Sequence, residues 1–408
     1  MRHMIIPGRT AAVFGLAAAC ALAACTVTGC ETPAASAPAP ASAAEMPMAC
    51  TKTGPVVFVV SGRRDSPAPA VTGRMGSAIT AAADHGSPLG IVDLDGSPRL
   101  IKAGRFSDPS AGNTTARDAA RESFENGVAA AIAGTRARAP HADVLDALDV
   151  AGRAVHAACG HGGTIFVEDS GLQEIGPVDF RQPDLLAAVP QDVASFLARS
   201  HELPDLSGIT VWLIGIGDTA PPQQRLSISQ RRNLIAIWSA IIHAAGGTAR
   251  VDATPRSGPA PAGVPTVLTV PVPSAPSWTP GPGAFTHVFA DSGNVGFQPN
   301  LAVFRDPAAA QQTLRSLASY LIAHPSARIL LIGTTAHWGS LAGCRQLSTE
   351  RADAVRLVLI MLGAGAGQIR TEGLGWRFPG YVNDQAPGGG LLPGPAEHNR
   401  SVIVRSLA

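Results

Sequence analysis

The sequence predicts an α/β N-terminal domain, a mostly parallel sheet with helices on both faces, followed by a smaller α+β domain. Three observations lead to this fold class. From Gly54 onward, continuous apolar runs alternate with helical stretches, an order typical of parallel sheets. A Pro- and Gly-rich stretch interrupts this order at residues 274–283. Beyond it, two helical stretches lie between four short apolar runs, which favours helices packed on one face of a small mixed sheet.

Residues 1–24 have the features of a secretory signal peptide. Arg2 and Arg9 precede an uncharged run of small and apolar residues at 11–24. This run is shorter than the about 20 apolar residues that a membrane-spanning helix needs. The sequence therefore predicts an extracytoplasmic protein.

The signal peptide ends in Leu22-Ala23-Ala24-Cys25, which resembles the lipobox, where a bacterial signal peptidase cuts before a cysteine that then receives lipid. Cys25 is the preferred lipidation site and Cys30, in the next such tetrapeptide, is the alternative. Lipid on either cysteine would anchor the protein to a membrane. An ordinary secreted protein, cut elsewhere, is the other interpretation. Residues 25–53, rich in Pro, Ala and Ser, are expected to be an extended tether.

The N-terminal domain is predicted at residues 54–273. Its apolar runs rich in β-branched residues are interpreted as buried strands, and its periodic stretches as helices. The strands are placed at 55–60, 90–94, 164–167 and 209–214, with further edge strands at 248–252 and 264–272, and the helices at 114–134, 141–158 and 226–245.

This domain weakly resembles a von Willebrand factor A-type domain, and the resemblance concerns the end of the first strand. That family carries D-x-S-x-S there, whose oxygens suit magnesium. Here the stretch reads Ser61-Gly62-Arg63-Arg64-Asp65, so the leading aspartate is absent. We therefore expect no bound metal. Arg63 and Arg64 are expected to be a solvated pair in a loop, with contact to an anionic partner as the alternative.

The sequence gives little support for an enzyme, a cofactor-binding protein or a nucleic-acid-binding protein. Residues 215–220 match a relaxed dinucleotide fingerprint, but Pro221 and Pro222 follow where a helix should open. There is no phosphate loop, G-x-S-x-G elbow or H-E-x-x-H spacing, so no catalytic residues and no cofactor are assigned. The net charge of +1 and the absence of a basic stripe argue against nucleic acid.

The six cysteines include one preferred disulfide pair. Cys50 precedes the first strand and Cys159 ends a helix before the third strand, so both flank the same sheet. A secreted location permits the bond, and two unpaired thiols are the alternative. Cys344 is expected to be buried and inert.

The C-terminal domain is predicted at residues 284–408 and is organised around residues 328–362. Ile329 to Ile332 form an apolar run that breaks at Gly333. A loop follows, and from about Arg345 apolar residues recur at helical spacing until Gly363. The other expected elements are strands at 295–297, 369–374 and 401–404, a helix at 307–323, and an insertion at 379–395.

These residues resemble the OmpA-like domain of bacterial envelope proteins. The family's G-H-T-D, L-S-x-x-R-A-x-x-V, G-x-G and N-R-R-V motifs correspond here to residues 333–336, 347–355, 373–375 and 399–402. The resemblance covers roughly residues 284–408.

The resemblance implies non-covalent binding of the diaminopimelate of peptidoglycan. The motif arginine, here Arg351, takes a carboxylate through two parallel hydrogen bonds. Thr335, Asn399 and Arg400 also match motif positions and are assigned to the site. The motif aspartate that takes the ammonium is Ala336 here, and an unpaired ammonium would cost about 1–3 kcal/mol, so weak binding is expected.

Asp384, in the loop before the last strand, is the candidate that could replace the missing carboxylate. Two functions therefore remain open. One is a lipid-anchored envelope protein that associates with peptidoglycan. The other is a protein-interaction scaffold of the envelope with a degenerate pocket.

Overall fold

A computed structural model describes residues 53–109, 112–159, 162–273, 278–281 and 283–407. These residues belong to one compact unit, Pro47–Ala408, and form two separate sheets. The predicted signal peptide at 1–24, the tether up to residue 52, and Cys25, Cys30 and Cys50 lie outside the described residues. Within the described part, no helix is both long enough and apolar enough to cross a membrane.

The first sheet has six strands, which are β1 Val56–Val60, β2 Leu89–Asp93, β3 Arg99–Gly104, β4 Gly163–Glu168, β5 Ile209–Ile214 and β6 Thr248–Asp252. Their order is β3-β2-β1-β4-β5-β6. All neighbours are parallel except β3, which runs antiparallel to β2. The predicted mostly parallel sheet is confirmed.

Helices cover both faces of this sheet, as predicted. Alternate residues of β1 face opposite sides, because side chains alternate along a strand. Val57 and Val59 join one core with helices α3 Val144–Cys159, α4 Pro190–Ser200 and α5 Ile228–Ala244. Phe58, together with Val56 and Val60, joins the other core with helices α1 Gly73–His85 and α2 Thr114–Ala133.

The prediction of an edge strand at residues 264–272 is wrong. No ladder forms there, because Pro265 and Pro271 lack the N–H that a ladder needs. The Gln223 side chain instead satisfies both backbone groups of Val270, at 2.8 and 3.0 Å.

The second sheet consists of β7 Thr286–Ala290, β8 Arg328–Thr334, β9 Ile369–Gly375 and β10 Ser401–Leu407, in the order β7-β10-β8-β9. It is mixed, because β8 and β9 are parallel while β10 is antiparallel to both of its neighbours. Helices α6 Pro307–Ala323 and α7 Leu341–Met361 share one core with it. The predicted α+β arrangement is confirmed.

Three details of this second region differ from prediction. The first strand is β7, not 295–297, where Phe297 makes only an isolated bridge to Phe304. Helix α7 begins before Arg345, because the Ser340 side chain accepts the Gly343 N–H and caps it. A further short helix, α8 Pro393–His398, begins within the predicted insertion and extends beyond it.

The two sheet regions meet at α8. Gly394 lies so close to the Pro183 carbonyl that a Cβ there would stand 2.6 Å from it. The side chain of Arg400 reaches Asp192 on α4 at 2.6 Å, and His398 reaches Asp184 at 3.1 Å. The predicted domain boundaries remain a prediction, but these contacts place α4 beside the start of β10.

Candidate functional site

Two glycines let α7 lie directly on the second sheet. A Cβ on Gly333 would stand 1.9 Å from the Ser348 carbonyl oxygen, and one on Gly373 would stand 2.2 Å from the Thr349 hydroxyl. Only glycine permits such close approach of a helix to a strand. This contact fixes the part of α7 that carries Arg351.

Arg351 is buried, with 4% of its surface exposed. Its Nε donates to the Leu301 carbonyl at 3.1 Å and its Nη2 to that of Gln298 at 3.4 Å. The guanidinium carbon lies 5.1 Å from the centre of the Phe297 ring. Burial lowers the pKa of Arg351. In the described part of the chain it forms no ion pair, and neither of these hydrogen bonds uses Nη1.

Four other charged side chains act on Arg351, namely Asp291, Arg400, Arg305 and Glu397. Arg305 pairs with Asp291 at 3.3 Å, and Arg400 pairs with Asp192 at 2.6 Å. Glu397 lies 3.8 Å from Arg400 and is 1% exposed. Neither carboxylate oxygen of Glu397 accepts a hydrogen bond within the described residues. Burial, followed by repulsion from Asp291, raises the pKa of Glu397 to about 8.

Asp384 and Asn399 belong to a different hydrogen-bond network, which holds the loop before α8 in place. Asp384 is fully buried and accepts the His337 N–H, the Tyr381 hydroxyl and the side-chain amides of Gln385 and Asn399. These donors outweigh burial and lower the pKa of Asp384. A carboxylate can accept about four hydrogen bonds. The protein's own donors therefore already occupy the acceptor positions of Asp384.

At the position of the missing motif aspartate, the structure has an apolar contact. Ala336 is buried and packs with Leu391 and Ala396. The neighbouring Thr335 is also buried, and its hydroxyl has no hydrogen-bond partner among the described residues. The structure therefore places Arg351 and Arg400 in one charged cluster, Asp384 and Asn399 in another network, and Thr335 in neither. Sequence reasoning missed Glu397 and Asp291.

The first sheet carries a separate charged cluster at the end of β1. Arg63 is completely buried, so the expected solvated pair is wrong for this residue, although Arg64 is exposed. The Arg63 guanidinium lies 2.8 Å from Glu174, 3.3 Å from Asp65 and 3.5 Å from Asp169. Burial opposes its charge, but attraction to the three carboxylates prevails and raises the pKa of Arg63.

The arginine itself is thus the cation held by these carboxylates. Burial raises the pKa of Glu174 to about 8 and also raises that of Asp65. Across the described residues, no group of His, Cys, Asp or Glu side chains is arranged to hold a metal ion.

The candidate dinucleotide fingerprint is occupied by the protein's own side chains. Gly215 and Gly217 have φ of 74° and 82°, and the Arg256 and Arg231 side chains pack against them. Asp218 pairs with Arg231 and accepts the Arg256 backbone N–H at 2.8 Å. The next helix, α5, begins only at Ile228.

Of the cysteines, Cys159 is disulfide-bonded. Because Cys50 lies outside the described residues, their pairing remains a prediction. Cys344 is a free, buried thiol that lies 3.1 Å from the Trp338 carbonyl.

Comparison with known proteins identifies the second region. Residues 297–388 match the OmpA family, so the C-terminal part of the chain contains an OmpA-like domain, from a non-catalytic family of peptidoglycan-binding domains. Glu397 and Arg400 lie beyond the matched stretch.

Among individual relatives, the chain is 38% identical over 95 residues to "Probable lipoprotein YiaD" of Escherichia coli K12, a match that spans 23% of this chain and 42% of that protein. The chain therefore spans less than half of this curated relative's length.

Two solved structures are also similar. One is the peptidoglycan-associated lipoprotein from Burkholderia pseudomallei, at 27% identity over 27% of this chain and 86% of the other, with a TM-score of 0.23. The other is the cell wall anchor of the T6SS from Pseudomonas aeruginosa, at 22% identity over 31% and 82% of the two chains, with a TM-score of 0.25.

Proposed function

We propose that this protein is a membrane-anchored envelope lipoprotein whose OmpA-like domain associates non-covalently with peptidoglycan. The single observation that carries the proposal is Arg351. It lies in the matched stretch, on a helix fixed to the sheet by two glycines, and it forms no ion pair in the described part of the chain. A buried guanidinium without a carboxylate partner suits the carboxylate of a ligand, since charged groups are rarely buried unpaired.

The N-terminal sequence supports the membrane anchor. A lipobox-like tetrapeptide ends at Cys25, with Cys30 as the alternative, and a Pro- and Ala-rich tether follows it. Together these features are typical of a protein held at a membrane while its folded part reaches away. The YiaD relative is itself named as a probable lipoprotein.

A second function, a scaffold for other envelope proteins with a degenerate pocket, is favoured by two observations. Ala336 removes the motif carboxylate and packs with apolar neighbours. Arg351 also donates to backbone carbonyls of its own domain. Under this alternative, the folded unit does not bind the cell wall.

Co-sedimentation with purified sacculi separates the two functions. We expect the compact unit Pro47–Ala408 to pellet with sacculi and Arg351→Ala to lower its affinity by at least about tenfold, since a charged hydrogen bond contributes about 1.5–3 kcal/mol. Arg345→Ala is the matched control, because Arg345 lies on the same helix but is exposed. Absence of pelleting, or equal affinity of the Arg351 variant, would reject wall binding through this residue.

A further inference from the structure

Two motif positions of the OmpA-like site are closed to solvent. Arg351 is 4% exposed, and its guanidinium donates to two backbone carbonyls of the loop between β7 and α6. Ala336, at the position of the motif aspartate, is also 4% exposed and packs with Leu391 and Ala396. A ligand therefore reaches this site only after a covering segment has moved.

The segment that covers Ala336 is residues 391–398, which include α8 and are named the α8 segment. It follows Gly388 and Gly389, where an added Cβ would meet no atom within 4 Å, and Gly389 has φ of 85°. Glycine adopts this backbone conformation without steric cost, and a few loop residues suffice to absorb the rotation of a moving segment. The α8 segment thus has a hinge at its N-terminal end.

The α/β region contacts the α8 segment and both of its ends. The contacts join four pairs, which are Arg199 with Gly390, Pro183 with Gly394, Asp184 with His398, and Asp192 with Arg400. In the last pair, Nη2 of Arg400 donates to Asp192 at 2.6 Å, and the two side chains are 14% and 23% exposed. Charge-assisted hydrogen bonds of this length are strong, so this pair is the main clamp on the segment.

The closed position leaves buried polar groups unsatisfied. Within the described residues, the Thr335 hydroxyl beside Ala336 has no hydrogen-bond partner, and neither has either carboxylate oxygen of Glu397 on α8. Nη1 of Arg400 lies 3.8 Å from Glu397, which is too far for a hydrogen bond. Such groups favour a conformation in which water reaches them. The contacts with the α/β region offset this tendency to open.

We propose that the α8 segment is an autoinhibitory lid on the OmpA-like site and that the α/β region keeps it closed through the pair of Asp192 and Arg400. This inference rests on the peptidoglycan association proposed above, and it gives the α/β region a role in regulating that association. Only the open state binds the wall, so the apparent affinity is the intrinsic affinity multiplied by the open fraction. Weakening the clamp raises that fraction.

The test measures co-sedimentation of Pro47–Ala408 with purified sacculi. Asp192→Asn keeps the size of the side chain and removes its charge, and we expect it to raise the affinity by at least about tenfold. Leu391→Ser, which weakens the apolar contact with Ala336, should also raise it. Asp118→Asn is the matched control and should leave the affinity unchanged, because Asp118 is exposed on α2, which packs on the opposite face of the first sheet from α4.

Hydrogen exchange measures the opening of the α8 segment directly. In the closed state, the Leu392 amide donates to the Asp384 carbonyl at 2.8 Å and the Ala396 amide to the Leu392 carbonyl at 2.9 Å. We expect residues 391–398 to exchange faster in Asp192→Asn than in the wild type, and faster in the wild type after addition of soluble muropeptides released from sacculi. Unchanged exchange in both comparisons would overturn the lid. Thermal unfolding verifies that the variants are folded.

The sedimentation results separate the lid from wall binding itself. If the wild type pellets and Asp192→Asn pellets equally or less, the lid is wrong while wall binding stands. A gain in the Asp192 variant that Arg351→Ala removes supports the lid, whereas a gain that persists in the double variant comes from another surface and overturns it. If neither the wild type nor the Asp192 and Leu391 variants pellet, both proposals are overturned.

Discussion

Arg63 shows what burial does to a single charge in this protein. Its guanidinium lies within 3.5 Å of three carboxylates in a place with no solvent contact. Removing one member of such a cluster leaves the others buried and uncompensated, which costs more than the original ion pairs contributed.

We therefore predict that Arg63→Met lowers the free energy of unfolding by about 3–5 kcal/mol at pH 7, because the carboxylates of Asp65, Asp169 and Glu174 lose their cation. Urea denaturation measures the change. Arg64→Met is the matched control, since its side chain is exposed and a surface substitution usually changes stability by less than about 0.5 kcal/mol. Equal stability of the two variants would contradict the structural importance of the Arg63 cluster.

The sequence predicted site residues only where a motif names them. Arg351 was found because it stands in a recognisable pattern on a periodic helix. Glu397 was missed because it lies just after a Pro- and Gly-rich insertion, and its burial arises from tertiary packing around α8. Arg63 was misjudged for the same reason: its carboxylate partners at 169 and 174 are distant in sequence, and no local pattern shows that they converge.

At the scale of elements, burial decided what could be predicted. The central strands β1, β2, β4 and β5 are apolar runs covered on both faces, and each was found within a few residues. Strand β3 was missed because all of its residues are exposed, so no apolar pattern marks it. Strand β7 was missed because only Phe289 of its residues is buried.

The contact between α7 and the sheet gives a prediction at this scale. Gly373→Ala would place a Cβ 2.2 Å from the Thr349 hydroxyl and 2.4 Å from the Arg345 carbonyl. We expect α7 to shift, the free energy of unfolding to fall by about 1–3 kcal/mol, and sacculus affinity to decrease because Arg351 moves with the helix.

Gly367→Ala is the control for this experiment, because a Cβ at Gly367 meets no atom within 4 Å. Chemical denaturation and the sacculus assay measure both variants. If Gly373→Ala matches the wild type in stability and affinity, close packing of α7 does not position the site.

At the scale of the whole molecule, the α/β region is part of the surroundings of the OmpA-like site. Asp192 on α4 holds Arg400, and Asp184 contacts His398. Sequence patterns separated the two regions at a Pro-rich stretch but gave no sign of these contacts, because they join residues distant in the chain. The arrangement makes the charge of the site depend on both regions.

The membrane anchor is also a property of the whole molecule. We predict that the full chain, expressed in a bacterium with lipoprotein processing, incorporates radiolabelled fatty acid and that Cys25→Ser abolishes the label. Cys30→Ser should retain it. Loss of label only in the Cys30 variant would move the anchor to the alternative site, and an unlabelled wild type would contradict the anchor altogether.

The central claim is that Arg351 binds the carboxylate of a peptidoglycan ligand. A crystal structure of Pro47–Ala408 with bound diaminopimelate tests it most directly. The account predicts a ligand carboxylate within hydrogen-bonding distance of the Arg351 guanidinium. A ligand that does not contact Arg351, or no bound ligand at saturating concentration, would contradict it.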